Sequence, residues 1–248
     1  MPASDRPHEE RLAGGFINEV VRVGDTVRRS GSLNTEFVAP LLQHLDECGW
    51  SGAPRFLGID EHGREILSFI EGVVPVDEDI PPSFSTDETL TALARMVREF
   101  HDLTAGTPLA GTEEVVCHND LSPKNTVYRD DAGIMMPVAL IDWDLAAPRG
   151  RIYDVGHICW KYLNLGPSVT DLDECARKIH LICDAYGIED LSGVIDAIIW
   201  WQEASIWGIE TGAKAGDKGM MRLQSAGVLL EIRASVTWVQ KHRTALEQ

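Results

Sequence analysis

Residues 117–125 read CHNDLSPKN, and residues 139–144 read ALIDWD. Between them they hold Asp120, Asp142 and Asp144, with His118 and Asn125 alongside. Carboxylates are costly to crowd, because like charges within a few ångströms repel and raise each other's pKa. A chain that writes two acidic clusters so close together calls for a positive charge between them, and a metal ion is the expected one. The intervening stretch, NTVYRDDAGIMMPVALID (125–142), reads as a β-hairpin leading from the first cluster to the second.

His118-x-Asp120-x-x-x-x-Asn125 has the HxDxxxxN spacing of a kinase catalytic loop, and Asp142 falls where protein kinases place a metal-binding aspartate. The chemistry suits those residue types. Mg²⁺ is a hard cation that prefers oxygen ligands. Asp142 offers a carboxylate and Asn125 a neutral amide oxygen, while Asp120 can orient an acceptor hydroxyl and receive its proton. The competing reading is a capped turn, with Asp120 or Ser122 as cap, before a hairpin that carries a solvated aspartate. The whole set, in order and at this spacing, favours the catalytic loop.

VVCHNDLSPKNTVY (115–128) with VALIDWDLAAPRGRIYDVG (138–156) resembles the aminoglycoside phosphotransferase family, the kinase-like group that includes choline and fructosamine kinases. The resemblance is sharp over about 115–156, looser over 12–74 and nearly absent after Leu165. It implies a bilobal, protein-kinase-like α+β fold with ATP and Mg²⁺ in the cleft. Asp120 then becomes the catalytic base, Asn125 and Asp142 metal ligands, and His118 a brace for the loop. Asp144 stands where the family often has a second acid, either assisting the metal or facing solvent, and Asp154 resembles a position that supports the loop. In this family a hairpin covers the phosphates, and a basic residue on the next strand pairs with a helix glutamate. Here Gly14 and Gly15 open the expected cover. Arg28 or Arg29 stands where a lysine is common, with Glu36 as the expected partner. Ser68, Phe69 and Ile70 resemble the hinge that offers backbone groups to an adenine edge.

Around this centre, FINEVVRVGDTVRRS (16–30) and RFLGIDEHGREILSFIEG (55–72) read as hairpins, turning at Gly24-Asp25 and at Asp60 to Gly63. NTEFVAPLLQHLDECG (34–49) reads as a helix capped by Asn34 or Thr35 and stopped at Gly49. The proline-bearing, acidic stretch 73–85 is the expected connector, dividing a β-rich N-lobe (1–74) from a mainly helical C-lobe (75–248). Ser85 and Glu88 form a candidate capping box for a helix through about Leu103. From Tyr153 the pattern is helical nearly to the end, with breaks near Gly166-Pro167 and Gly187.

The chain has 248 residues, 44% hydrophobic and 25% charged, an ordinary globular composition with material for a sizeable core. Its 22 basic and 39 acidic residues give a formal charge of -17. Such a field repels nucleic acid and anionic membranes and attracts cations. Five scattered cysteines without a CxxC pair, and an N-terminus without an apolar stretch, are those of a cytoplasmic protein.

The expected partners are a nucleoside triphosphate and a small-molecule acceptor, bearing an amine if the acidic surface selects it. IIWWQEASIWGIE (198–210) spaces Glu203, Trp207 and Glu210 along one helix face, a candidate acceptor wall, with Trp143 a further candidate. The same residues also read as core tryptophans with a solvated acidic rim. Lys124 lies inside the loop, within reach of a γ-phosphate or turned to water. The alternative function is a non-catalytic, kinase-like nucleotide-binding module. A metal site or thiol enzyme built on Cys117, His118, His157 and Cys159 lacks a recognisable spacing.

Overall fold

The computed structural model describes residues 9–12, 20–32, 34–76 and 80–248. β-rich runs broken by glycine turns fill the first part of the chain, and they pair with one another. Glu10–Arg11 (β1), Val20–Val23 (β2), Thr26–Ser30 (β3), Phe56–Ile59 (β4) and Arg64–Ser68 (β5) form one antiparallel sheet in the order β1-β2-β3-β5-β4. Gly24, at φ 60°, makes the β2–β3 turn that an L side chain would strain. Thr35–Glu47 (α1) buries Val38, Leu41, Leu42 and Leu45, a helical spacing that gives it one apolar face. The expected cap does not form. Asn34 instead donates to the carbonyls of Asp144 (3.1 Å) and Ala146 (2.9 Å), so its amide ties the start of α1 to the acidic loop.

Asp87–Thr104 (α2) is the core of the larger lobe. Leu90, Leu93, Ala94, Val97 and Phe100 are fully enclosed. Its cap sits one residue beyond the expected Ser85: Thr86 Oγ1 accepts from Thr89 N at 3.2 Å. Val115–Cys117 (β6) leads into the HND loop, and the expected hairpin is present as Thr126–Asp131 (β7) and Ile134–Leu140 (β8). A short strand that sequence reading misses, Ala147–Arg149 (β9), pairs antiparallel with β6. It brings the chain after the acidic loop back beside the start of the HND loop.

The rest is helical: Ile152–Tyr162 (α3), Leu172–Tyr186 (α4), Leu191–Lys214 (α5), Lys218–Ser225 (α6) and Val228–Leu246 (α7). The expected breaks fall between α3 and α5. Two more occur at Gly216 and Gly227, both at φ 86°. α3 and α5 cross closely at Gly156, where an added Cβ would lie 2.8 Å from the Cβ of Ala197. This contact fixes α3 against the site. Among the described residues no helix is long and apolar enough to cross a membrane. The architecture is thus bilobal: a small antiparallel sheet with α1, set against a mainly helical lobe.

Candidate active site

The HND loop is held from beneath by one carboxylate. Asp154, the third residue of α3, is fully buried and accepts from His118 N (2.7 Å), Asn119 N (2.9 Å) and His101 Nε2 (3.0 Å). Burial alone would raise its pKa, but these donors and the nearby imidazoles hold it below the usual aspartate value. The chain reverses over it with Asn119 at φ 64°, a conformation asparagine tolerates better than most residues. His118 is enclosed, and burial pushes its pKa down to about 4. The neutral ring donates Nε2–H to the carbonyl of Ile141 (3.1 Å) and receives the amide of Asp120 on Nδ1 (3.3 Å). His118 therefore couples the HND loop to the acidic loop.

Asp120 and Asn125 face each other across that loop. Asn125 Nδ2 donates to Asp120 Oδ2 (2.8 Å) and to its carbonyl (2.9 Å), which turns the amide oxygen of Asn125 the other way. Burial raises the pKa of Asp120 to about 6. Lys161 and the Asn125 hydrogen bond pull it down, and the charge of Asp142 pushes it up. A half-buried carboxylate poised near neutrality is suited to take a proton.

Asp142 sits at φ 64°, ψ 62°, a left-handed residue outside glycine, and such strain concentrates at functional sites. Its Oδ1 lies 3.3 Å from Arg29 Nη1, and Asp144 Oδ1 lies 2.5 Å from Arg29 Nη2. Burial and the neighbouring charge of Asp144 raise the pKa of Asp142, while Arg29 lowers it. Two carboxylates thus converge on one cation, with the amide oxygen of Asn125 on the adjoining loop. Three hard oxygen donors suit Mg²⁺, and Asp142, Asp144 and Asn125 are the residues that would hold it.

Arg29 corrects one expectation. Successive strand residues point to opposite faces. Arg29 faces inward and is nearly buried, whereas Arg28 turns the other way, toward Thr26 Oγ1 (2.6 Å) and Asp60 (3.9 Å). Arg29 Nε donates to Glu65 Oε2 at 2.7 Å, its direct partner in the β3–β5 register. Glu36 is exposed and takes no part. The basic residue is therefore paired across the sheet rather than with the helix, and α1 contributes only Thr35, whose hydroxyl lies 2.5 Å from Glu65 Oε1.

Trp143 corrects another. It is 1% exposed and packs edge-on to Phe100, with ring centroids 4.9 Å apart, and against His118 at 4.6 Å. Its indole N–H bonds the carbonyl of Leu140 (2.9 Å). It pegs the acidic loop into the core and touches no cleft. On α5, Glu203 is exposed, Trp207 is 70% exposed, and Glu210 pairs with Arg233 of α7. At the candidate hinge, Ser68 and Phe69 donate their amides to the carbonyls of Arg55 (3.0 Å) and Asp25 (2.9 Å). The backbone groups of Ile70 bond to nothing among the described residues. Gly14 and Gly15 lie outside the described residues.

His101, Cys117 and Asp154 also lie within 4.8 Å of one another. Asp154 is already occupied by three N–H donors, and burial drives Cys117 far up, keeping it a neutral thiol. That cluster is a brace, not a nucleophile. Glu65 and Lys161 are absent from the sequence reading. Glu65 carries a signal, a charge in phase with the inward Leu67, and Lys161 carries none short of the fold.

A model of the phosphotransferase enzyme family matches residues 107–172. The chain is similar to the trifolitoxin immunity protein of Rhizobium leguminosarum bv. trifolii, 30% identical over 268 residues that cover 95% of this chain and 96% of the relative. Its fold is similar to that of an ethanolamine kinase of Plasmodium vivax, with TM-score 0.68 at 13% identity, covering 93% of this chain and 85% of the other. A choline/ethanolamine kinase family protein of Mesorhizobium loti gives TM-score 0.65 at 17% identity, covering 100% and 95%. The GDP complex of an aminoglycoside 2'-phosphotransferase gives 0.60 at 16% identity, covering 93% and 94%.

Proposed function

The chain belongs to the phosphotransferase enzyme family, and from that premise we propose that it moves the terminal phosphate of ATP to a hydroxyl of a small molecule. The observation that carries this reading is the convergence of Asp120, Asn125, Asp142, Asp144 and Arg29 on one site, from loops locked together by His118 and Asp154.

Asp120 accepts the acceptor's hydroxyl proton as the oxygen attacks the γ-phosphorus. The bond from that phosphorus to the β–γ bridging oxygen breaks, leaving ADP and a phosphate ester. Positioning and charge neutralisation suffice, with no covalent enzyme intermediate. Asp142, Asp144 and Asn125 would hold Mg²⁺, which would supply charge neutralisation for the transferring phosphate. Arg29, steered by Glu65, grips phosphate with a planar fork where a lysine would offer a point charge. Ile70 offers its unengaged backbone groups to the base edge. Residues 1–74 act as the nucleotide-covering lobe and 75–248 as the catalytic and acceptor-binding lobe. The charge of -17 supports an acceptor that also carries an amine, drawn in by the field of the whole chain. Five free thiols support a cytoplasmic setting.

The test is nucleotide consumption against a panel of hydroxylated acceptors, with and without a chelator. Consumption that requires both an acceptor and the divalent ion is expected. Nucleotide binding with no turnover on any acceptor would instead assign a non-catalytic binding module.

A further inference from the structure

Arg29 gives every nitrogen of its guanidinium to a carboxylate. Nε donates to Glu65 Oε2 (2.7 Å), Nη1 to Asp142 Oδ1 (3.3 Å) and Nη2 to Asp144 Oδ1 (2.5 Å). The first contact lies within the small lobe, and the other two cross to the acidic loop of the large one. The partners differ in freedom. Glu65 is 2% exposed and its second oxygen meets Thr35 Oγ1 (2.5 Å), so it fixes the inner end of the fork. The side chains of Asp142 and Asp144 are 49% and 26% exposed. Asn34 holds the backbone of their loop through the carbonyls of Asp144 (3.1 Å) and Ala146 (2.9 Å). The loop is therefore tethered while its two carboxylates can turn. Arg29 is the fixed member of the trio, and the aspartates are the movable ones.

The guanidinium thus sits on the same two carboxylates that a divalent ion needs. A bare ion that draws both aspartates to itself breaks two ion pairs. It also leaves the outer edge of a nearly buried guanidinium unpaired, beside a second positive centre. An unpaired buried charge is costly, and a like charge a few ångströms away adds to the cost. A nucleotide alone meets the converse difficulty. Its phosphate takes the Arg29 fork, which leaves Asp142 and Asp144 facing each other and the added negative charge. When ion and polyphosphate arrive together, partners are exchanged and no charge is left over: phosphate oxygens take the guanidinium edge, and the aspartates take the ion.

We propose that Arg29 excludes a bare divalent ion from Asp142 and Asp144 and yields those carboxylates only to an ion that arrives with a polyphosphate. The site then selects the metal–nucleotide complex over either component, and Arg29 is the residue that sets this selectivity. The inference rests on the phosphotransfer reading only for the choice of Asp142 and Asp144 as metal ligands.

Mn²⁺ binding to the full chain, followed by the electron paramagnetic resonance of the free ion, tests it without turnover. Mn²⁺ alone should bind wild-type protein no better than it binds Asp142→Asn, the background set by the other acidic residues. Arg29→Met should bind Mn²⁺ alone about 10–100-fold tighter than wild type, the effect of removing one neighbouring charge. Adding Asp142→Asn to that variant should abolish the gain. Arg29→Met strands the buried Glu65, so Arg29→Met with Glu65→Gln, which removes both charges, is measured beside it and should show the same gain. With ADP present, wild-type protein should retain more Mn²⁺ than ADP and protein do separately, and by linkage this coupling should shrink in both variants. Tight Mn²⁺ binding by wild type that depends on Asp142, or an affinity for Mn²⁺ alone that neither Arg29 variant raises, overturns the proposal. Failure to phosphorylate any acceptor with these binding results intact counts against the phosphotransfer reading alone.

Discussion

On the proposed mechanism, Asp120 is the base whose ionisation governs the pH dependence of activity. Its carboxyl is enclosed by the loop, and burial with the charge of Asp142 lifts its pKa to about 6 against the pull of Lys161 and Asn125. A base must be ionised to take a proton, so activity is lost as pH falls through that value. About nine-tenths of Asp120 is ionised at pH 7 and about one-tenth at pH 5, a roughly tenfold fall in rate. An ordinary aspartate, near 3.9, would lose almost nothing over that interval. The measurement is kcat/KM for the nucleotide from pH 4.5 to 8 (a range of about this width spans the limb), which reports groups in the free enzyme. Lys161→Met removes a cation that favours the ionised form, so the acid limb should move to higher pH. A limb near pH 4, or one that moves down in that variant, would refute the reasoning.

Other consequences are separable. Arg29→Ala leaves Glu65 buried and Asp142 facing Asp144 without their shared cation, so nucleotide affinity should fall by at least about tenfold, as isothermal titration would read. Arg28→Ala, on the outward phase of the same strand, should change it little. Trp143→Ala empties a fully packed site between Phe100 and His118 and should cost about 3–5 kcal/mol in chemical denaturation. Glu210→Gln breaks a surface pair with Arg233 and should shift stability by less than about 1 kcal/mol, leaving the acceptor KM unchanged because that carboxylate is already engaged.

How far the site could be read from the sequence follows from how local each relation is. The order His118, Asp120, Asn125, Asp142 is set by one loop and one hairpin, and spacing along the chain carries it; so does the turn at Gly24. The choice of Arg29 over Arg28 depends on strand phase, and the choice of Glu65 over Glu36 on which strand lies beside β3. Both were available only once the register Arg29↔Glu65 was known. Trp143 followed the motif into the expected acceptor site, yet its neighbours in space are Phe100 and His118, residues far away or on another loop. Asn34 looked like a helix cap because nothing local shows that its amide is spent on the carbonyls of Asp144 and Ala146. Gly216 and Gly227 carried the usual helix-stop signal, but the apolar pattern ran past them. Lys161 is in no motif at all, and only the packing of α3 on the loop brings it to Asp120.

The most direct trial of the central claim follows the terminal phosphate itself. ATP labelled at the γ-position is incubated with the protein, Mg²⁺ and the hydroxylated acceptors, and the label is traced by phosphorus NMR. Wild-type protein should move it into a phosphate ester of an acceptor, while Asp120→Ala, still binding nucleotide with near wild-type affinity, should leave it on ATP. Ester formation by Asp120→Ala at near the wild-type rate would contradict the account.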